Sequence, residues 1–129
     1  MPKLQSKTAL VTGGARGIGE AIARCFAREG ATVVIADIDI QNGRHVAEEI
    51  GGTYFELDVA DEQGWNQFAA AHPQIDIVVN NAGITGFEDS LGPHDPENAT
   101  IADWYRVHAV NLDGTFLGCR YAIRAMRAK

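Results

Sequence analysis

Thr12-Gly13-Gly14-Ala15-Arg16-Gly17-Ile18-Gly19 is the stretch on which the reading of this 129-residue chain turns. It follows the apolar run Ala9-Leu10-Val11 and precedes Ile18, Ile22, Cys25 and Phe26 at helical spacing, so the glycines fall where a buried strand passes into a helix. The first turn of a helix has backbone N–H groups without intrahelical partners and carries the positive end of the macrodipole. An anionic diphosphate can be held there by backbone alone, and glycine lets that backbone come close. Taken by itself the cluster also fits a plain tight turn between strand and helix.

Spacing narrows the choice. Gly13, Gly17 and Gly19 make Thr-Gly-x-x-x-Gly-x-Gly, and the next apolar run, Thr32-Val33-Val34-Ile35-Ala36, ends on an acid, Asp37. A carboxylate about twenty residues past the glycines suits the ribose hydroxyls of an adenosine.

Outward from there, strands alternate with helices. Residues 7–13 read as a nearly continuous apolar strand and 16–29 as a helix with a stripe of Ile18, Ile22, Cys25 and Phe26, stopped by Gly30. Strand 31–37, helix 41–50 ending at Gly51-Gly52, strand 53–57 followed by Asp58, helix 61–72 ended by Pro73, and strand 75–79 running into Asn80-Asn81-Ala82-Gly83 complete four units. This alternation predicts right-handed crossovers and a doubly wound, Rossmann-type α/β fold: a parallel sheet in the order 3-2-1-4 with flanking helices. Ligands of such a sheet sit outside the carboxyl ends of the strands. The glycine turn, Asp37, Asp58 and Asn81 all fall on that edge.

Residues 84–99 read as a long loop beside a substrate pocket. A helix follows over 100–126, with Thr100 and Asp103 spaced as a capping box. One stripe of it, Trp104, Val107, His108 and Asn111, is expected to face sheet and cofactor. A second, Ala109, Leu112, Phe116, Cys119, Ile123 and Met126, asks for another helix, from a partner chain in a homo-oligomer or from sequence missing here, with Gly114 and Gly118 permitting close approach.

Composition bounds the rest. The length suits a single domain, and 46% hydrophobic with 22% charged residues is ordinary for a globular protein. A net charge of −6 argues against a nucleic-acid partner. No apolar run reaches the roughly 18 residues of a membrane span, and residues 1–6 carry no secretory pattern, so no membrane partner and a cytoplasmic location are expected. Cys25 and Cys119 fall on apolar stripes and read as buried free thiols; the scattered His45, His72, His94 and His108 predict no metal site.

In order and spacing, Thr12-Gly13-x-x-x-Gly17-x-Gly19, Asp37, Asp58-Val59, Asn80-Asn81-Ala82-Gly83 and Val110-Asn111-Leu112 closely resemble the classical short-chain dehydrogenase/reductase family. The resemblance covers essentially the whole chain but only about the first half of a usual member. It implies an NAD(P)-dependent oxidoreductase moving hydride between the nicotinamide and a secondary alcohol or ketone. Gly13, Arg16, Gly17, Ile18 and Gly19 would cradle the pyrophosphate, and Asp37 would accept the adenosine ribose hydroxyls. Asp58 and Val59 would border the adenine, Ile38 would join them in binding cofactor, and Asn81, Ala82 and Gly83 would pass under the nicotinamide-side ribose. Thr12 and Asn80 would tie the turn to the fourth strand. Asn111 would be the family's helix-kinking asparagine, whose backbone holds a water of the proton relay. Asp37 favours NAD, since a carboxylate there faces the 2′-phosphate of NADP with like charge, while Arg16 in the glycine turn pulls the other way.

The family's catalytic tyrosine, lysine and serine have no counterparts here. Tyr54, Tyr105 and Tyr121 are followed four residues on by Asp58, Ala109 and Ala125, so no Tyr-x-x-x-Lys occurs. The chain is therefore expected to be the amino-terminal, cofactor-binding part of a dehydrogenase, with an open edge at its fourth strand. The rival reading is a non-catalytic NAD-binding module. A Rossmann-like methyltransferase lacks support, since it calls for an acid just before the first glycine, and a P-loop needs a Gly-Lys-Ser/Thr that is missing.

Overall fold

Strands β1 (Thr8–Thr12), β2 (Thr32–Asp37), β3 (Thr53–Glu56) and β4 (Ile77–Val79) pair in parallel in the order β3-β2-β1-β4. The computed structural model describes residues 1–88, 92–93 and 95–129; Asp89, Ser90, Leu91 and His94, in the loop expected over 84–99, lie outside the described residues. The two central strands are buried on both faces, which is why they read as unbroken apolar runs. Leu10, Val34 and Ala36 turn to one face and pack with Leu57, Trp65, Phe68 and Tyr121. Val11, Val33 and Ile35 turn to the other, against Ala23, Val46 and Ala47.

Helices α1 (Gly17–Arg28) and α2 (Ile40–Ile50) cover the second face; α3 (Glu62–Ala71) and α5 (Gly114–Arg127) cover the first. Local chemistry sets their ends. Asp39 accepts from the Asn42 N–H and Asp61 from the Gln63 N–H, and Gly51 closes α2 in the left-handed conformation at φ 69°. Arg16, at the N-cap of α1, supplies no such side-chain bond.

On α1 the buried positions are Gly19 and Ala23, with Ile22 and Phe26 half-buried and Ile18 and Cys25 exposed. Small residues let this helix lie close on the sheet, which pushes the expected stripe to its flanks. Both cysteines are exposed free thiols, contrary to the buried pair expected.

The segment expected as one helix over 100–126 is broken. Helix α4 (Ile101–His108) begins with Thr100 Oγ1 accepting from the Asp103 N–H at 3.1 Å. A π-helical turn, Ala109–Asp113, then separates it from α5. Its wider turn rotates all later positions, so the face laid on the sheet is Gly114, Leu117, Gly118, Tyr121 and Ala125, a stripe distinct from both expected ones. Trp104 and Asn111 of the stripe expected to face sheet and cofactor are exposed. Gly114 lies against Val59, and Gly118 against Asn80 and Trp65, so these glycines admit the segments past β3 and β4 and the α3 side chain of the same chain. Leu112, Phe116, Cys119, Ile123 and Met126 remain exposed.

Candidate functional site

Beyond the carboxyl ends of the strands lies a cleft of about 340 Å³. Of the residues singled out from the sequence, Gly13, Arg16, Ile18, Asp37, Ile38, Asp58, Val59, Asn81, Ala82 and Gly83 line it. Gly17, Gly19 and Asn111 do not. Gly17 stands between two lining residues at φ +60°, with open space where a Cβ would be. Gly19 is inside the turn, where a Cβ would overlap the Gly13 carbonyl and the Asn81 side chain. With no side-chain cap on α1, its first-turn N–H groups face the cleft end of the helix, an arrangement suited to an anion.

Asp37 occupies the end of β2 with both carboxylate oxygens engaged. Its Oδ2 accepts from the Ala15 N–H at 3.1 Å and its Oδ1 from the Asp39 N–H at 3.0 Å. One bond comes from the glycine turn and the other from the N-cap of α2, so the carboxylate is held between the two connections. Asp58, past β3, accepts from the Ala60 N–H at 2.9 Å.

The fourth strand is fastened to the glycine turn through Thr12 and Asn81. Thr12 Oγ1 donates to the Val79 carbonyl at 3.3 Å and accepts from the N–H groups of Asn81 at 3.0 Å and Ala82 at 3.1 Å. Asn81 Nδ2 donates to the carbonyls of Thr12 at 3.1 Å and Gly13 at 3.2 Å. The structural tie expected of Asn80 is therefore made by Asn81, whose side chain points into the turn. Asn80 looks the other way, its amide 3.6 Å from Cys119 Sγ.

Asn111 lies in the π turn. Its side chain pairs with both backbone groups of Ile84, and its own carbonyl accepts from Thr115 Oγ1 at 2.9 Å. Next along the loop, Glu88 gathers the Thr85 N–H at 2.6 Å, the Thr85 hydroxyl at 3.0 Å and the Gly86 N–H at 2.9 Å. Backbone N–H bonds, Thr85 foremost, hold its carboxyl down at about 2.

Leu57, Ile84 and Val110 also line the cleft without having been singled out. Each directly precedes a residue read as functional or follows one, and adjacency to the motifs is the signal that finds them. Among the described residues, no group of three or more His, Cys, Asp or Glu is placed to hold a metal ion, and no helix is long and apolar enough to cross a membrane.

Residues 7–129 match the family model for short chain dehydrogenase. The chain belongs to the short-chain dehydrogenase family. Within that family it is 40% identical over 128 residues to borneol dehydrogenase, mitochondrial, of Lavandula x intermedia, covering 96% of this chain and 48% of the relative. It is 39% identical over 135 residues to the NADP-dependent (R)-specific alcohol dehydrogenase of Lentilactobacillus kefiri, covering 98% and 51%. A crystal structure provisionally described as a betaketoacyl-ACP reductase superposes with a TM-score of 0.86 at 36% identity, over 98% of this chain and 51% of that one. This short-chain dehydrogenase chain thus spans about half the length of the relatives it matches, and its four-stranded sheet is incomplete relative to theirs.

Proposed function

We propose that the cleft binds NAD and that the protein serves hydride transfer between NAD and a secondary alcohol or its ketone. The observation that carries this reading is Asp37: a carboxylate fixed by the Ala15 and Asp39 N–H groups on the wall of a cleft that also receives the uncapped start of α1. The diphosphate would lie over Gly13, Arg16, Gly17, Ile18 and Gly19, and the adenosine ribose against Asp37. Ile38, Asp58 and Val59 would border the adenine, with Asn81, Ala82 and Gly83 beneath the second ribose. Bound NAD would supply the hydride acceptor. Asn111 would serve the proton relay through its backbone.

Preference for NAD over NADP rests on like-charge repulsion between Asp37 and a 2′-phosphate. Arg16 and the NADP-dependent relative from Lentilactobacillus kefiri weigh on the other side. Fluorescence titration with NADH and NADPH, on material of verified intact mass, tests the reading: tighter binding of NADH is expected, and no binding of either nucleotide would end it.

A non-catalytic NAD-binding module is the second reading, since the cleft residues account for holding a dinucleotide without themselves carrying out hydride transfer. On either reading this chain by itself turns over no alcohol or ketone. Turnover by the chain joined to a natural continuation separates the two.

A further inference from the structure

The peptide that follows Asp37 is held from the neighbouring strand. Tyr54 stands opposite Ile35 in the parallel ladder, and its hydroxyl reaches forward to donate to the Asp37 carbonyl at 2.5 Å. We propose that Tyr54 is a positioning residue for cofactor selection, its hydroxyl holding the Asp37–Ile38 peptide so that the Asp37 carboxylate stays aimed at the adenosine ribose. The inference rests on the reading that Asp37 meets that ribose.

Three features single out this contact. The β2–β3 ladder ends at Asp37 opposite Glu56, so past that point strand pairing no longer fixes the backbone; the Tyr54 hydroxyl and the Leu57 N–H, at 3.2 Å from the same oxygen, do so instead. The carbonyl belongs to the peptide joining two successive cleft-lining residues, and a rotation of that peptide would swing both. The tyrosine ring is itself fixed: it packs against the core on the α1–α2 side, and a Cβ at Gly43 of α2 would fall on its edge. A ring locked by packing delivers its hydroxyl without a search, which is what a supporting group of a binding site requires. Burial, with the Asp37 charge second, raises the Tyr54 pKa, so the hydroxyl keeps its proton and remains a donor.

Tyr54→Phe keeps the ring and removes only the donor, and the Leu57 N–H still satisfies the carbonyl. Titration of the protein with NADH and NADPH is expected to show NADH binding about three- to tenfold weaker in Tyr54→Phe, the size of one lost hydrogen bond. NADPH should change less, because a loosened carboxylate also repels the 2′-phosphate less, so the preference ratio falls. Gly43→Ala, which drives the ring aside, should weaken NADH in the same direction and add little in the Tyr54→Phe background. An unchanged NADH-to-NADPH ratio in a folded Tyr54→Phe, whatever its melting temperature, overturns the proposal, as does full additivity of the two substitutions. Failure of the unmodified protein to bind NADH would instead bring down the functional reading, and this one with it.

Discussion

Asn111 and Ile84 are joined through both ends of one side-chain amide: the Ile84 N–H donates to Asn111 Oδ1 at 2.8 Å, and Asn111 Nδ2 donates to the Ile84 carbonyl at 2.8 Å. The amide copies a strand partner, extending the order of β4 into the cleft wall from a π turn 27 residues away. Asn111→Ala removes both bonds at an exposed position. It should lower stability in urea by about 1 kcal/mol and weaken NADH binding more than a stability loss of that size explains. Wild-type affinity in this variant would show that the Ile84 wall is held by other means.

Thr12 is the buried hub of the same region, with one hydroxyl serving three backbone groups. Thr12→Val preserves shape but leaves the Asn81 and Ala82 N–H groups without that acceptor. A loss of about 2–4 kcal/mol is expected from equilibrium unfolding. Asn81→Ala should cost more than Asn80→Ala, since only Asn81 reaches the glycine turn. The reverse ranking would contradict the geometry described.

Glu88 makes the loop after Ile84 sensitive to acid. Its carboxyl sits at about 2 against an ordinary 4.5, so the folded turn favours the ionised form. Stabilisation of the turn is complete above 4.5 and disappears as pH falls through 2, the direction for a depressed carboxylate. Amide resonances of Thr85 and Gly86, followed by NMR across that range, should titrate with a midpoint near 2, and Glu88→Gln should abolish the titration. A midpoint near 4.5 would mean that the three bonds do not form in solution.

Leu112, Phe116, Ile123 and Met126 put four large apolar side chains on the outer surface of the π turn and α5. Exposed apolar patches mark interaction sites, and the homo-oligomer expected from the sequence would use this one. Phe116→Glu combined with Ile123→Glu should reduce the mass measured by light scattering to that of one chain, with NADH affinity retained because neither residue lines the cleft. A single-chain mass in the unmodified protein would remove the oligomer expected from the sequence.

The strand order and the rim of the cleft were legible because their signals are local. Apolar runs of strand length, helical spacing between them, and polar residues at the strand ends are enough to place the glycine turn, Asp37, Asp58 and Asn81 on one edge. Packing altered what depends on rotation. Ile18 and Cys25 share helical spacing with Ile22 and Phe26, yet the small Gly19 and Ala23 take the sheet-facing position because they allow α1 to approach more closely.

By itself, the amino-acid sequence determined that this is a parallel α/β chain of the short-chain dehydrogenase family with its polar groups gathered at the strand ends. Tertiary structure alone decided which of two adjacent asparagines turns inward and which face of the last helical segment is buried. Successive residues leaving a strand point to opposite sides, so Asn80 and Asn81 are distinguished only by what lies there, α5 for one and the Thr12-Gly13 turn for the other. The π turn at Ala109–Asp113 falls where the resemblance puts a helix-kinking Asn111, but the apolar period runs through it unmarked, and the turn rotates every later side chain about the helix axis. Both outcomes are set by contacts between segments far apart in the chain, which no local period encodes.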